Sequence, residues 1–267
     1  MSLRTHIHHG WAELVLADPP RNVLHADPPR NVLHADLLRG LAETLVELAA
    51  EAPVLLLRSQ GRHFSTGYPI GDIPEEIFHE DAEVRAATPF ETVMQRLVDY
   101  PAPVIMAVQG DAWGGAVEML ACADLRVAAA GVRVALTPAR LGLIYSHTGL
   151  RRLGRALGSP LLREMVLTGL PVTTDRLERT GFFSRVVTAE DLESCTGEMV
   201  DAVLCGGPQA LRGTRHVLRI LEETENLAQE ELAKIARLRH RSRLSAEFND
   251  AQAAFLEGRP SPFRKGE

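Results

Sequence analysis

Three kinds of residue in this chain could do chemistry at a carbonyl group: glycines where a strand turns into a helix, one carboxylate on an apolar helix, and a tyrosine just ahead of another helix. In VIMAVQGDAWGGAVEM, residues 104–119, a short apolar run ends at Gly110 and a helical pattern opens at Gly114-Gly115. The first backbone N–H groups of such a helix have no partner within it, and glycine lets a ligand approach them closely. The turn therefore suits an oxygen that gains negative charge. Residues 54–73, VLLLRSQGRHFSTGYPIGDI, repeat the arrangement as a buried-looking strand followed by a polar loop. Two such units could converge on one carbonyl oxygen, although a Gly-Gly ahead of a helix serves equally as a tight turn. Glu118 stands on an otherwise apolar helix face, where an acid needs a reason to be. It reads either as a single base or as a helix residue paired with Arg126 or a backbone group. Tyr145, in LGLIYSHTG, reads from its surroundings as a buried tyrosine bonded to backbone, and His147 as a cap or surface group of the helical turn that follows.

The elements that must hold these residues alternate between short strands and helices. Residues 12–16 have the pattern of a strand, after which ADPPRNVLH at 17–25 recurs unchanged at 26–34. One nine-residue unit occurring twice is too short for a solenoid and reads as a tandem insertion in a surface loop. The second copy joins directly to the next helix, which favours it for the structural place. That helix runs from Leu37 through Leu38, Leu41, Leu45 and Leu48 and stops before Pro53. Residues 74–87 are acidic and aperiodic, the pattern of a solvated loop or an active-site flap. Residues 89–99 read as a helix that Pro101 and Pro103 separate from the next strand. Short strands at 124–129 and 132–136, helices at 149–157 and 160–167, a short helix capped by Thr174 and ended by Gly181, and a strand at 182–187 complete the core. From residue 189 the pattern is helical to 255, with breaks near 206–208 and 224–226. The expectation is an α/β core over residues 1–205 and a helical region over 206–267.

FSTGYPI at 64–70 and GDAWGGAVEM at 110–119 resemble the two oxyanion-hole segments of the crotonase, or enoyl-CoA hydratase/isomerase, superfamily. LTPARLGLIYSHTGLRRL (136–153), LTGLPVTTDRLERTGFFSRVV (167–187) and AFLEGRPSPF (254–263) follow in that family's order and spacing, so the likeness covers nearly the whole chain. The resemblance implies a spiral of ββα repeats with C-terminal helices that pack into a homotrimer or a dimer of trimers. It also implies a thioester oxygen held by the backbone N–H groups of Tyr68 and Gly115, each donor worth ~3 kcal/mol to an enolate. The substrate would be an acyl-CoA or an acyl-carrier-protein thioester, with no metal and no organic cofactor.

Side chains around the α-carbon must decide which reaction occurs. Hydratases of the family use two carboxylates; Glu118 matches the first, and the second falls at Pro138, with only Ala139 beside it. Water addition by two carboxylates is therefore not expected. The combination FSxGx(D/P)I, WGGAxEM and TPxxLGxxY resembles the methylmalonyl-CoA decarboxylases of the superfamily, in which a tyrosine at the position of Tyr145 faces the substrate carboxylate. Trp113 and Thr137-Pro138 belong to the same subset. The chain departs from it at Tyr68, where histidine is common, and at Pro69, where aspartate follows. The implied catalytic groups are Tyr145, Glu118 and Tyr68, the two hydroxyls orienting the carboxylate and returning a proton. Arg30 and Val32 (or their twins at 21–24), His63, Ser65, Gly67, Ile70, Trp113, Gly114, Thr137 and Pro138 would line the CoA and acyl sites, with Phe255 and Lys265 reaching a CoA site from the tail, their own or a neighbour's. The nine-residue insertion would fall at the CoA entrance. Rival readings are an enoyl-CoA isomerase using Glu118 as its single base and, in a different class, a non-catalytic acyl-CoA binder or an RNA-binding member.

Composition narrows the field further. The 267 residues carry a formal charge of −6 and a pI near 6.0, which offers no electrostatic reason to bind nucleic acid or an anionic membrane surface. Three cysteines, Cys122, Cys195 and Cys205, sit in apolar helical surroundings and read as reduced core thiols of a cytoplasmic protein. His6, His8 and His9 have no acid or thiol at ligand spacing and read as a polar strand edge rather than a metal site. The first residues lack an apolar signal core, and no stretch is long and apolar enough to span a bilayer.

Overall fold

The computed structural model describes residues 3–17, 30–51, 54–68, 82–141, 143–223 and 245–259, with isolated positions at 76, 230, 237, 262 and 263. Its strands sort into two sheets, because the pairs β3 (Val54–Ser59)/β4 (His63–Ser65), β5 (Val104–Val108)/β6 (Asp111–Trp113) and β7 (Leu125–Ala129)/β8 (Arg133–Ala135) each send their first member to a large sheet and their second to a small one. The large sheet contains β1 (Leu3–His8), β2 (Trp11–Leu16), β3 (Val54–Ser59), β5 (Val104–Val108), β7 (Leu125–Ala129) and β10 (Arg185–Val187), in that order. The small one contains β4 (His63–Ser65), β6 (Asp111–Trp113), β8 (Arg133–Ala135) and β9 (Val172–Thr173). Only the β1–β2 and β8–β9 pairs are antiparallel among the described residues.

Every residue of β5 is buried, as expected of a central parallel strand covered on both faces, which is why it reads as a continuous apolar run. One face is covered by α1 (Ala35–Glu51), through Leu38, Leu41 and Leu45, and by α3 (Pro89–Asp99), through Val93, Met94 and Leu97. On the other face Val200 of α8 (Leu192–Leu204) packs with Val54, Leu56, Ile105 and Ala107. The remaining helices are α2 (Ala82–Ala86), α4 (Gly115–Ala121), α5 (His147–Leu157), α6 (Ser159–Thr168), α7 (Thr174–Arg179), α9 (Pro208–Glu223) and α10 (Ala246–Leu256), and a 3-10 turn spans Pro138–Leu141. The order β3–β4–α3, β5–β6–α4, β7–β8–α5 is the expected succession of ββα units.

Several boundaries differ from the sequence reading. Helix α1 begins at Ala35 because His34 Nδ1 accepts the Leu37 N–H at 3.2 Å and so caps it. Thr174 is not a cap: Thr173 precedes α7, while Thr174 is buried and its Oγ1 accepts the Gly131 N–H at 3.2 Å. The histidines do lie at a polar edge, since β1 carries His6 and His8 on an exposed outer strand and His8 stacks on Trp11 at 3.9 Å. Residues 18–25 of the first repeat copy, half of the acidic stretch and residues 224–229 lie outside the described residues, and the described end of the acidic stretch is the helix α2 (Ala82–Ala86) rather than a loop. No helix among the described residues is long and apolar enough to cross a membrane.

Candidate active site

The two glycine loops meet. Gly67 has φ of +75°, and a Cβ there would lie 2.5 Å from the Trp113 carbonyl oxygen and 3.3 Å from the Gly115 nitrogen, so only glycine allows this approach. Gly114, with φ of 55°, is the N-cap residue just before α4; its N–H donates to Ala135 O at 2.9 Å, and no side chain caps the first helical turn. A Cβ on Gly115 would stand 3.7 Å from Cδ2 of Tyr68, which puts the two residues side by side. The loop that carries Tyr68 is held from below by the second repeat copy. Thr66 N–H donates to Arg30 O, Leu33 N–H to Gly67 O, and Ser65 Oγ to Asn31 O at 2.6 Å, while Ser65 Oγ accepts the Gly67 N–H. Asn31 is fully buried with φ of 49°, and its Nδ2 donates to the Gln60 and His63 carbonyls at 2.8 and 2.9 Å.

Behind the glycines is a buried polar cluster. Glu118 is 1% exposed. Tyr145 donates its hydroxyl to Glu118 Oε2 at 2.9 Å, and Arg152 donates Nη1 to Oε1 at 2.9 Å. The same guanidinium grips Glu91 with Nη2 at 2.5 Å and Nη1 at 3.0 Å, and reaches Gln95 Oε1 at 3.2 Å. Arg126 is therefore not the partner of Glu118. It donates to the Leu120, Ala123 and Phe182 carbonyls, and burial pushes its pKa down to about 10. Ser146 caps α5 by accepting the Gly149 N–H at 3.0 Å. A Cβ on Gly149 would fall 2.4 Å from Tyr145 Cε1 and 2.6 Å from Glu118 Oε2, so this glycine makes room for the pair.

Burial pushes the Glu118 carboxyl up; Arg152 and Tyr145 offset only part of that rise. Burial and the neighbouring Glu118 hold both Tyr145 and Tyr68 well above the ordinary phenol value, so both stay neutral donors. For Arg152 burial opposes the charge, but Glu91 and Glu118 prevail and keep it protonated. The Tyr68 hydroxyl is buried and makes no well-formed hydrogen bond among the described residues, although the Phe90 backbone lies close enough to favour its ionised form slightly. An orphaned donor at this position is available to a ligand. Cys122 is buried with its thiol pushed up and Sγ on the Glu118 carbonyl, which makes it a core group rather than a nucleophile.

A second group lies beside the small sheet. Burial pulls His63 down, and Arg62, Arg30 and Arg133 add to that against Asp111. Arg133 pairs with Asp111 at 2.6 Å and covers the Trp113 ring at 5.7 Å, so the indole packs under an arginine. Thr137 precedes the 3-10 turn that begins at Pro138, and Val32 is half-buried beside Leu33. Ile70, Lys265 and the Phe255 side chain lie outside the described residues. Among the described residues no three His, Cys, Asp or Glu side chains gather as a metal site. Sequence reasoning missed Arg152, Glu91, Gly149 and Asn31. Glu91 had the signature of a helix capping box, T-x-x-E from Thr88, and that pattern points away from an active site.

Comparison with known proteins is consistent with this geometry. A family model described as enoyl-CoA hydratase/isomerase matches residues 23–266. Methylmalonyl-CoA decarboxylase of Escherichia coli (strain K12) is 29% identical over 214 residues, covering 79% of this chain and 79% of that protein. Carnitinyl-CoA dehydratase of Proteus mirabilis (strain HI4320) is 31% identical over 178 residues, covering 65% and 67%. Among solved structures, an enoyl-CoA hydratase/isomerase family protein from Hyphomonas neptunium superposes with a TM-score of 0.85 at 25% identity, over 98% of this chain and 97% of that one. An enoyl-CoA hydratase from Mycobacterium smegmatis, at 23% identity and TM-score 0.83 over 99% and 100% of the chains, shares the fold. With a match that spans nearly its whole length, this chain belongs to the enoyl-CoA hydratase/isomerase, or crotonase, family.

Proposed function

We propose that this protein is an acyl-CoA decarboxylase acting on methylmalonyl-CoA or a related malonyl-type thioester. The observation that carries this reading is Glu118, buried in the site and already engaged by the Tyr145 hydroxyl, with proline at position 138 where the hydratases' second acid would stand. Decarboxylation needs an electron sink and one proton donor, whereas hydration divides acid and base work between two groups. The similarity to a methylmalonyl-CoA decarboxylase supports the same choice.

The thioester oxygen would accept the Tyr68 and Gly115 N–H groups. With the C–CO₂⁻ bond perpendicular to the thioester plane, its electron pair passes into the enolate and neutral CO₂ leaves. Burial from water would disfavour the starting carboxylate, and the Tyr68 hydroxyl, which lacks a well-formed partner among the described residues, would orient it. Tyr145 then gives its proton to the α-carbon and recovers one through Glu118. This chemistry calls for no metal or organic cofactor. Arg30 and Arg62 around His63 would supply positive charge for CoA phosphates, while the charge of Arg133 is engaged by Asp111. The burial that favours a proton on Glu118 also suits it to act as the single base of an enoyl-CoA isomerase.

The test is CO₂ release from methylmalonyl-CoA by the wild type, Tyr145→Phe and Glu118→Gln, with crotonyl-CoA hydration as the control. Release that collapses in Tyr145→Phe supports the decarboxylase. No release, together with 3-enoyl-CoA turnover that survives Tyr145→Phe and is lost in Glu118→Gln, selects the isomerase. No turnover of any thioester leaves a non-catalytic binder.

A further inference from the structure

Glu91 is the third residue of α3, and Thr88 Oγ1 accepts its N–H. In the reciprocal cap that this pattern predicts, the glutamate would return to the Thr88 N–H. Here Thr88 N–H donates to Arg85 O instead, and the Glu91 carboxylate turns inward to Arg152 and to Thr148 Oγ1 at 3.4 Å. One guanidinium thus serves two carboxylates: two N–H bonds go to Glu91, and one goes to the deeper Glu118. The side chains of Arg152, Glu91 and Glu118 are 10%, 18% and 1% exposed, so two negative charges share one positive charge away from water. Such a cluster holds an excess charge or a proton, and the more buried carboxyl with fewer bonds is where a proton settles.

We propose that Glu91 and Arg152 are positioning residues that make the Tyr145–Glu118 pair a proton donor: Glu91 takes the larger share of the guanidinium and leaves Glu118 holding the proton that Tyr145 passes to the substrate carbon. The proposal rests on the decarboxylase reading. The 2.9 Å contact between Tyr145 and Glu118 serves either direction of donation, because a hydroxyl both gives and accepts. As the enolate takes the Tyr145 proton, the Glu118 proton moves to the Tyr145 oxygen. The products are the neutral thioester, intact Tyr145 and ionised Glu118, which solvent then reprotonates. Besides Tyr145 and Arg152, the groups that act on Glu118 are Glu91 on α3, Cys122 at the end of α4 and Tyr68 after β4.

Infrared difference spectroscopy of the full chain tests this without substrate, the Glu118 band being assigned by its loss in Glu118→Gln. The wild type should show a protonated carboxyl at neutral pH, and Glu91→Gln, which frees the guanidinium for Glu118, should shift its titration to lower pH. The alkaline limb of kcat should follow, with turnover there falling on the order of ten-fold and KM unchanged. Glu91→Asp, which restores the charge, should move both back toward the wild type. A Glu118 already ionised at neutral pH in the wild type, or a midpoint that stays or rises in Glu91→Gln, would overturn the proposal, and the first of these needs no Glu91 variant that folds. A Glu118 band that responds to Glu91→Gln in a protein that releases no CO₂ would overturn the reaction and leave the proton-carrying pair intact.

Discussion

Gly149→Ala sets helix propensity against the site. In the first turn of α5, replacing glycine by alanine would ordinarily stabilise the helix by up to about 1 kcal/mol. At this position the new Cβ would stand 2.4 Å from Tyr145 Cε1, 2.6 Å from Glu118 Oε2 and 2.9 Å from Ser146 Oγ. The first two are well inside ordinary contact distance, so the ring and the carboxylate must each move by several tenths of an ångström or more. Overpacking of this kind costs about 1–3 kcal/mol, which cancels or exceeds the helical gain. In the proposed reaction the catalytic loss should be larger, because displacing a reacting group by about 1 Å lowers turnover on the order of 100-fold. Thermal unfolding and CO₂ release on the same preparation separate the two effects: little change or a modest fall in Tm, with a collapse in kcat. A variant with a raised Tm and kcat within about two-fold of the wild type would refute the reasoning, because Tyr145 and Glu118 could not then be confined as described.

Three further outcomes are expected. Tyr68→Phe removes a buried hydroxyl that lacks a well-formed partner, so the free protein should gain about 1 kcal/mol while decarboxylation falls; a lowered Tm would mean that the hydroxyl is satisfied without substrate. Arg215→Met strips α9 of its bonds to Asp124 and to the Leu97, Val98 and Tyr100 carbonyls at the end of α3. Denaturant melts should show a loss of about 3 kcal/mol, and a loss below about 0.5 kcal/mol would contradict that role. Glu118 is held above the ordinary carboxylate value of 4.5, so the folded chain binds this proton more tightly than the unfolded one. The stability it adds is present below pH 4.5 and is lost as pH rises through the folded value. The stability of wild type minus Glu118→Gln should therefore decline with pH above 4.5, and a difference that rises would place the folded value below the ordinary one.

What sequence revealed and what it hid divide along a physical line. Val104–Val108 was legible because a strand covered on both faces leaves an unbroken apolar run, and the glycine loops were legible because only glycine tolerates the approach of Gly67 to Trp113 O. Strands β4, β6 and β9, three residues or fewer, leave too little periodicity to read. Identical repeat copies could not be ranked by composition, and the structure seats Asn31 of the second beneath the Tyr68 loop. Glu118 shows the limit best. An acid on an apolar helix announced that a partner must exist, and Arg126, eight positions along, was the cation nearest in sequence. The carbonyls of Leu120, Ala123 and Phe182 claim Arg126, while Arg152 arrives from 34 residues away on α5 and brings Glu91 from 61 residues farther back. A buried charge states its need locally, but the group that meets it is chosen by how the helices pack. In this site that choice places a second carboxylate on the same guanidinium, which no spacing rule within one helix could have indicated.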